Sequence, residues 1–225
     1  MFEAVILAGG MGTRLKSLSG ATPKPMMEVA GQPFLYRLMQ KLEAEGCEQI
    51  HLAISYKANY VIDCIKQDNP TKIDIRFSVE QAPLGTGGAV RQAVDSVNSD
   101  HFLILNGDSF TDLNFNDVFE FSPADDVVIA ATNVKNAGRF GAIKVNNNGH
   151  VECFVEKGQH GPGLINCGIY RLCKDKILEL PGGPFSLEDD YIKVTPHPIR
   201  VFETDGFFVD IGIPEDFHVA VRHFK

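Results

Sequence analysis

Two hydrophobic rhythms alternate through the first half of the chain, and this alternation restricts the fold more than any other feature. EAVILA (Glu3–Ala8) has the length and β-branched content of a buried strand, and QIHLAIS (Gln49–Ser55), DIRFSV (Asp74–Val79) and HFLILNGD (His101–Asp108) read as further strands. Helical patterns lie between them. Pro33–Gly46 sets Phe34, Leu35, Leu38, Met39 and Leu42 on one face, with proline near its start and glycine at its end. Ala58–Asp68 and Thr86–Val97 read as further helices. Strands separated by helices require parallel crossovers and a sheet covered on both faces. In such a sheet the ligand sits beyond the carboxyl ends of the strands, where the strand order reverses.

Beyond residue 112 the rhythm changes. DVVIAAT, GAIKV, HVECFVE and GLINCGIYRL are strands with few helices between them, and NNNG (Asn146–Gly149) is a hairpin signal. These strands are expected to form an antiparallel addition over the open sheet edge. IRVFET and GFFVDIG return to strand, and Pro214 starts a closing helix. The expectation is one α/β domain over residues 1–225 with a Rossmann-like fold. Its central sheet is mixed but mostly parallel, flanked by helices, with a small antiparallel subregion.

Composition excludes several classes. With 225 residues the chain can bury a full core without disulfide or metal staples. Its 21 Lys and Arg against 29 Asp and Glu give a net charge of −8, which argues against nucleic acid as a partner. No stretch approaches the apolar length of a membrane span, and MFEAVILAGG lacks the basic and apolar regions of a signal peptide. Five cysteines without a C-x-x-C pair suit reduced thiols, so the expected location is cytoplasmic. The seven histidines are scattered and form no H-E-x-x-H.

The chemical signal is the run LAGGMGTRL, directly after the first strand. Leu7, Ala8, Gly9, Gly10, Gly12 and Thr13 make a loop whose backbone can approach a ligand closely, and the loop carries Arg14. It is neither a Walker loop, since the Gly-Lys pair is missing, nor a dinucleotide fingerprint, since the third glycine position is Leu15. A second cation, Lys24, stands between Pro23 and Pro25. Downstream come EQAPLGTGGA (Glu80–Ala89), NGD (Asn106–Asp108), RFG (Arg139–Gly141), Glu156-Lys157, INCGIY (Ile165–Tyr170) and FVDIGIPEDF (Phe208–Phe217).

In this order and spacing the motifs resemble those of the sugar-1-phosphate nucleotidyltransferases over nearly the whole chain. The resemblance implies a nucleoside triphosphate and a sugar 1-phosphate as substrates, Mg²⁺ as cofactor, and a nucleotide-diphosphate sugar and pyrophosphate as products. Within the family, GTRLKS, PLGTGGA, GLIN-x-GIY, FS-x-E and DIG-x-PED are similar to the guanylyltransferases acting on D-glycero-α-D-manno-heptose 1-phosphate. Mannose 1-phosphate guanylyltransferases share the early motifs. N-acetylmuramate 1-phosphate uridylyltransferases have a similar length, but the GTGG run fits them less well, and glucose 1-phosphate uridylyl- and thymidylyltransferases stand with them. The chain reads as a bare catalytic core without a C-terminal extension, a monomer or small homo-oligomer.

The chemistry of the residues agrees. A sugar phosphate oxygen is already anionic, so no general base or protein nucleophile is needed, and catalysis is positioning and electrostatics. By resemblance the catalytic residues are Arg14, Lys24, Asp108, Lys157 and Asp210. Arg14 and Lys24 hold pyrophosphate, Lys157 holds the sugar phosphate, and Asp108 and Asp210 ligate the metal. Both acids end apolar strands, and two carboxylates suffice for Mg²⁺. Glu80, Gln81, Gly85, Thr86 and Gly87 line the base. Gly85, Gly87 and Gly88 open a helix whose N–H groups suit an anion or a base carbonyl. Glu80 can accept both donors of guanine, which favours GTP, or it is a solvated strand end.

On the sugar side stand Asn106, Gly141, Glu156 and Asn166, with Gly141 allowing close approach of the sugar. Arg139 is either a phosphate contact or half of a surface ion pair. Glu188 reads first as part of a helix N-terminus capped by Ser186, and second as a sugar contact. Residues 1–112 are assigned mainly to the nucleotide and 113–225 mainly to the sugar. Two other classes are weighed. A non-catalytic sugar-nucleotide-binding module would have no reason to keep all five charged residues. A glycosyltransferase would commonly carry Asp-x-Asp, which is missing.

Overall fold

The computed structural model describes every residue except 11, 13, 14, 16–19, 21, 123–126 and 159. Strand β1 (Phe2–Leu7) comes first. A short antiparallel pair, β2 (Glu28–Val29) and β3 (Gln32–Pro33), leads into helix α1 (Phe34–Ala44). Then follow β4 (Cys47–Ile54), α2 (Ala58–Gln67), β5 (Asp74–Val79), α3 (Gly85–Ala93) and β6 (His101–Asn106). The second half contains β7 (Ser109–Thr111), α4 (Phe115–Glu120), β8 (Val127–Val134), β9 (Ala142–Val145), β10 (Val151–Val155) and β11 (Gly163–Cys173). It ends with α5 (Lys174–Leu178), β12 (Ile199–Thr204), β13 (Phe208–Asp210) and α6 (Pro214–His223).

Seven strands share one sheet in the order β12–β8–β11–β6–β1–β4–β5. β1 is parallel to both β4 and β6, and β12 is parallel to β8. Only β11 runs the other way, between β6 and β8. The chain leaves β1 toward β4 and β5 on one side and continues with β6 on the other, so the order reverses beside β1. The sheet is thus mixed and mostly parallel, as the sequence implies. One detail differs. β8, β11 and β12 do not lie over the sheet edge; they extend the sheet. The reason is visible in β8, whose first six residues are all buried, as suits a strand covered on both faces. Only β9 and β10 stand apart as a hairpin, closed at the NNNG turn by bonds between Asn146 and His150.

Alternate residues of the central strands serve opposite layers, because strand side chains alternate in direction. Phe2, Ala4 and Ile6 of β1, with Leu103 and Leu105 of β6, pack against α1, α2 and α4. Val5, Phe102 and Ile104 face the other way, against Ala89, Val90 and Ala93 of α3 and against Leu187 and Tyr191. A third cluster joins Phe34 and Leu38 of α1 to Phe110, Val209, Ile211 and Ala220. It fixes β7, β13 and α6 against the main body.

At the amino ends of β1 and β4 lies a buried polar knot. Glu3 is 4% exposed and accepts bonds from His51 Nε2 at 2.8 Å, Asn98 N at 3.0 Å, Ser99 N at 3.0 Å and Ser99 Oγ at 3.0 Å. Burial opposes the Glu3 charge, but the donors prevail and hold its carboxyl below the ordinary glutamate value. Burial pushes the His51 imidazole down, so a neutral ring serves as one of those donors. A carboxylate held low contributes stability that is full above its unfolded value near 4.5 and is lost as pH falls through the folded one. Glu3→Gln is therefore expected to lower stability by about 1–3 kcal/mol at neutral pH in urea denaturation. It should also flatten the loss of Tm on acidification below the glutamate range. A midpoint equal to wild type would contradict this role.

Candidate active site

The reversal beside β1 creates a cleft at the carboxyl ends of β1, β4 and β6, and the residues after β6 close it. Gly107 N–H donates to the Leu7 carbonyl at 2.9 Å, tying the end of β6 to the end of β1. Asp108 then leads into β7, which pairs antiparallel with β13 so that Asp210 stands opposite Ser109. Ile211 N–H donates to the Asp108 carbonyl at 2.9 Å. This small ladder brings two acids from distant parts of the chain side by side.

Lys24 reaches them from a 3₁₀ turn (Lys24–Met26) held between Pro23 and Pro25. Its ammonium donates to Asp108 Oδ2 at 2.5 Å and lies 3.7 Å from Asp210 Oδ1. The Lys24 side chain is 11% exposed, against 37% for Asp108 and 27% for Asp210. Burial and the neighbouring Asp108 carboxylate push the Asp210 carboxyl up, even though Lys24 and the Gly212 N–H, 2.7 Å away, pull it down. Among the described residues one ammonium touches the two carboxylates, and the Arg139 guanidinium adds a weaker pull on Asp210. Paired hard oxygens suit a divalent cation such as Mg²⁺. Among the described residues no group of three or more His, Cys, Asp or Glu could hold a metal. Substrate oxygens and water would supply the other ligands, as is usual for Mg²⁺.

Two cavities meet at this acidic pair. One, of about 660 Å³, is bounded by Leu7, Gly9, Gly10 and Lys24 and by Glu80, Gln81, Gly85 and Thr86 across from them. The other, of about 490 Å³, is bounded by Gly141, Glu156, Lys157, Asn166 and Asp210. Asn106 and Asp108 line both. The structure thus gathers most of the sequence-derived residues at one seam.

Among the described residues, Ala8, Gly12 and Gly87 do not reach a cavity wall. Arg14 and Thr13 lie outside the described residues. Ala8 is buried, with its N–H bonded to the Ala53 carbonyl. Gly12 packs on the Lys24 side chain, 2.8 Å from where a Cβ would stand. Gly87 and Gly88 are buried, and their N–H groups donate to the Phe185 carbonyl at 3.0 and 3.4 Å, so they are not presented to an anion. The smallness of Gly87 admits the Phe185 ring, an atom of which would lie 2.1 Å from a Cβ there, and a Cβ at Gly88 would meet the Gly183 carbonyl at 2.5 Å. Gly141 does line its cavity, yet a Cβ there would meet the Val155 carbonyl at 2.7 Å, so the chain's own backbone already requires glycine.

Other side chains have protein partners of their own. Glu80 accepts the Leu84 N–H on Oε2 at 2.9 Å, closing the loop that bounds the larger cavity. Arg139 pairs with Asp216 of α6 at 2.6 Å, the surface-pair reading, while still lining the smaller cavity. Glu156 is exposed and receives Lys193 at 3.4 Å. Ser186 Oγ accepts the Asp189 N–H at 3.1 Å, as a capping serine does. Sequence reasoning missed Ser55 and Tyr56, which line the larger cavity, and Tyr170 and Lys193, which line the smaller. Ser55 and Tyr56 directly follow β4, so the rule that sites lie at the carboxyl ends of parallel strands points to them.

Residues 3–220 match the family model described as nucleotidyl transferase, and the chain belongs to that family. Among its relatives are two proteins described as D-glycero-alpha-D-manno-heptose 1-phosphate guanylyltransferase. That of Aneurinibacillus thermoaerophilus is 33% identical over 99% of this chain and 98% of its own length. That of Campylobacter jejuni subsp. jejuni serotype O:2 is 35% identical over 96% and 97%. Among solved structures, HddC from Yersinia pseudotuberculosis is 43% identical and superposes with a TM-score of 0.93 over 100% of both chains. It has also been solved in complex with GMP-PN.

The seam generates two expectations. Gly168 has φ of +73°, and a Cβ there would stand 2.5 Å from the Asn106 amide nitrogen. Gly168→Ala should therefore displace Asn106 and lower Tm by several degrees, roughly what a 1–3 kcal/mol loss produces in a domain of this size. An unchanged Tm would contradict the contact. A carboxyl with a raised folded pKa costs stability once pH exceeds its unfolded value. Asp210→Asn should accordingly be no less stable than wild type at neutral pH by thermal denaturation. A clear fall in Tm would show that the charge supports the fold.

Proposed function

We propose that this chain transfers a guanylyl group from GTP to D-glycero-α-D-manno-heptose 1-phosphate, releasing pyrophosphate and forming a GDP-heptose for cell-surface glycan synthesis. The observation that carries this reading is the meeting of two cavities at Lys24, Asp108 and Asp210. Such a seam suits a reaction between two separately bound anions. The heptose and the guanine are supported by the relatives' names and by the GMP-PN complex of HddC.

Residues 1–112 take the nucleotide and 113–225 the sugar phosphate. An oxygen of the sugar phosphate attacks the α-phosphorus of GTP. The bond from that phosphorus to the β-phosphate bridging oxygen breaks, and the electron pair leaves with pyrophosphate. No proton needs removal, because the attacking oxygen is anionic at neutral pH. Asp108 and Asp210 would hold Mg²⁺, which when bound neutralises charge between the two reactants. In this reading Lys24 leaves the carboxylates to hold the departing pyrophosphate, a role it shares with Arg14.

On the sugar side Lys157 holds the attacking phosphate, and Asn106, Gly141, Glu156 and Asn166 contact the sugar. Gly9, Gly10, Gly85 and Thr86 border the nucleotide. Glu80 has its second oxygen for the guanine donors, with Gln81 beside it. The enzyme is read as cytoplasmic, working as a monomer or small homo-oligomer on small molecules alone. No helix among the described residues is long and apolar enough to cross a membrane.

Four triphosphates offered against heptose, mannose and glucose 1-phosphates, with pyrophosphate release as the readout, test the reading. Fastest turnover is expected with GTP and the heptose. Highest kcat/KM with UTP or dTTP, or with mannose 1-phosphate, would overturn the base or the sugar assignment respectively. Asp108→Ala should lower kcat about 10³-fold or more while leaving the fold intact by circular dichroism. Near-wild-type turnover in that variant would end the metal assignment.

A further inference from the structure

A chain of hydrogen bonds runs from Thr86, on the wall of the larger cavity, into the wall of the smaller one, which Glu188, Tyr170 and Asn166 all line, with Glu188 as the junction. Thr86, which lines the larger cavity, donates its hydroxyl to Glu188 Oε2 at 3.0 Å. Tyr170 donates its hydroxyl to Glu188 Oε1 at 2.9 Å. Asn166, which lines the smaller cavity, donates its amide to the Tyr170 oxygen at 2.7 Å. Both ends are anchored in backbone. Leu187 N–H donates to Thr86 Oγ1 at 2.9 Å, and Gly168 N–H donates to Asn166 Oδ1 at 2.8 Å.

Every hydrogen in this chain has a single direction. Tyr170 is fully buried, and burial together with the Glu188 charge keeps its phenol protonated and donating. A carboxylate receives donors from both sides, so either half of the network supports the other. Neighbouring bonds in such chains polarise one another and respond non-additively to deletion. Gly168, at the far end, packs on Asn106, the residue shared by both cavities.

We propose that Glu188 is a positioning residue that locks the nucleotide-side wall at Thr86 to the sugar-side wall at Asn166 through Tyr170, so that the affinity for the sugar phosphate depends on Thr86. Thr86 acts here through other residues, not by touching the sugar. The proposal rests on the reading of the smaller cavity as the sugar site.

The test is steady-state kinetics with GTP and D-glycero-α-D-manno-heptose 1-phosphate on wild type, Thr86→Val, Thr86→Ser, Tyr170→Phe and the Thr86→Val/Tyr170→Phe double variant. Thr86→Val and Tyr170→Phe should each raise KM for the heptose phosphate about tenfold, as expected for losing one bond to a half-buried carboxylate. The rise should be smaller in Thr86→Ser, which keeps the hydroxyl. The double variant should be little worse than the worse single one, because both substitutions break the same chain. Additive effects, or a Thr86→Val change confined to KM for GTP, would overturn the proposal. If Tyr170→Phe fails to fold, the comparison of valine with serine at Thr86 still decides. Absence of turnover by wild type with any sugar 1-phosphate would instead defeat the functional reading beneath it.

Discussion

The contact between the Lys24 ammonium and the carboxylates of Asp108 and Asp210 is the interaction around which the rest of the structure is arranged. Two like charges at this spacing repel, and one of them is partly desolvated, as the upward shift of Asp210 records. The arrangement persists because each member is fixed from elsewhere. Asp108 and Asp210 are carried by paired strands with a packed cluster beneath them, and Lys24 is held by a turn between two prolines. An ordinary solvated ion pair would contribute little to stability and would move freely. A pinned set of charges is instead suited to receiving a cation and an anionic group together.

The topology explains why this set lies between two cavities. β1 has strands on both sides, and the chain departs from it in opposite directions, so the ends of β1 and β6 open a cleft. The antiparallel β11 then fills the place next to β6 and carries Asn166 and Tyr170 toward the same end of the sheet. Its pairing with β8 is irregular between Asn166 and Tyr170, where Gly168 adopts its left-handed conformation. That irregularity aims Asn166 and Gly168 at the seam. The polar knot around Glu3 occupies the opposite, amino-terminal ends of the strands, where it serves cohesion rather than chemistry.

Much of this was legible in the sequence, for physical reasons that differ between elements. The parallel strands β1, β4 and β6 announce themselves as apolar runs because both their faces are buried, and α1 and α2 because only one face is; the edge strand β5 is half-exposed along its length and shows as an alternating pattern. Asp108 and Asp210 stand at strand ends, where composition changes abruptly. The position of β11 was not legible, since no local pattern encodes which neighbour a strand chooses. Nor were the donors taken by Phe185. The glycines of PLGTGG read as open backbone, and only tertiary packing reveals that Gly87 and Gly88 accommodate a ring and a carbonyl. Glu188 reads from its neighbours as part of a capped turn, and its two long-range partners, Thr86 and Tyr170, are invisible to any short window.

The central proposal is that Asp108 and Asp210 would hold a divalent cation where the two cavities meet. The most direct measurement is the position of Mn²⁺, from its anomalous scattering, in crystals grown with a non-hydrolysable GTP analogue. The account places the peak between the two carboxylates, with the Lys24 ammonium moved away toward the terminal phosphates. A peak bound by phosphate oxygens alone, with Lys24 still bridging the acids, would contradict it.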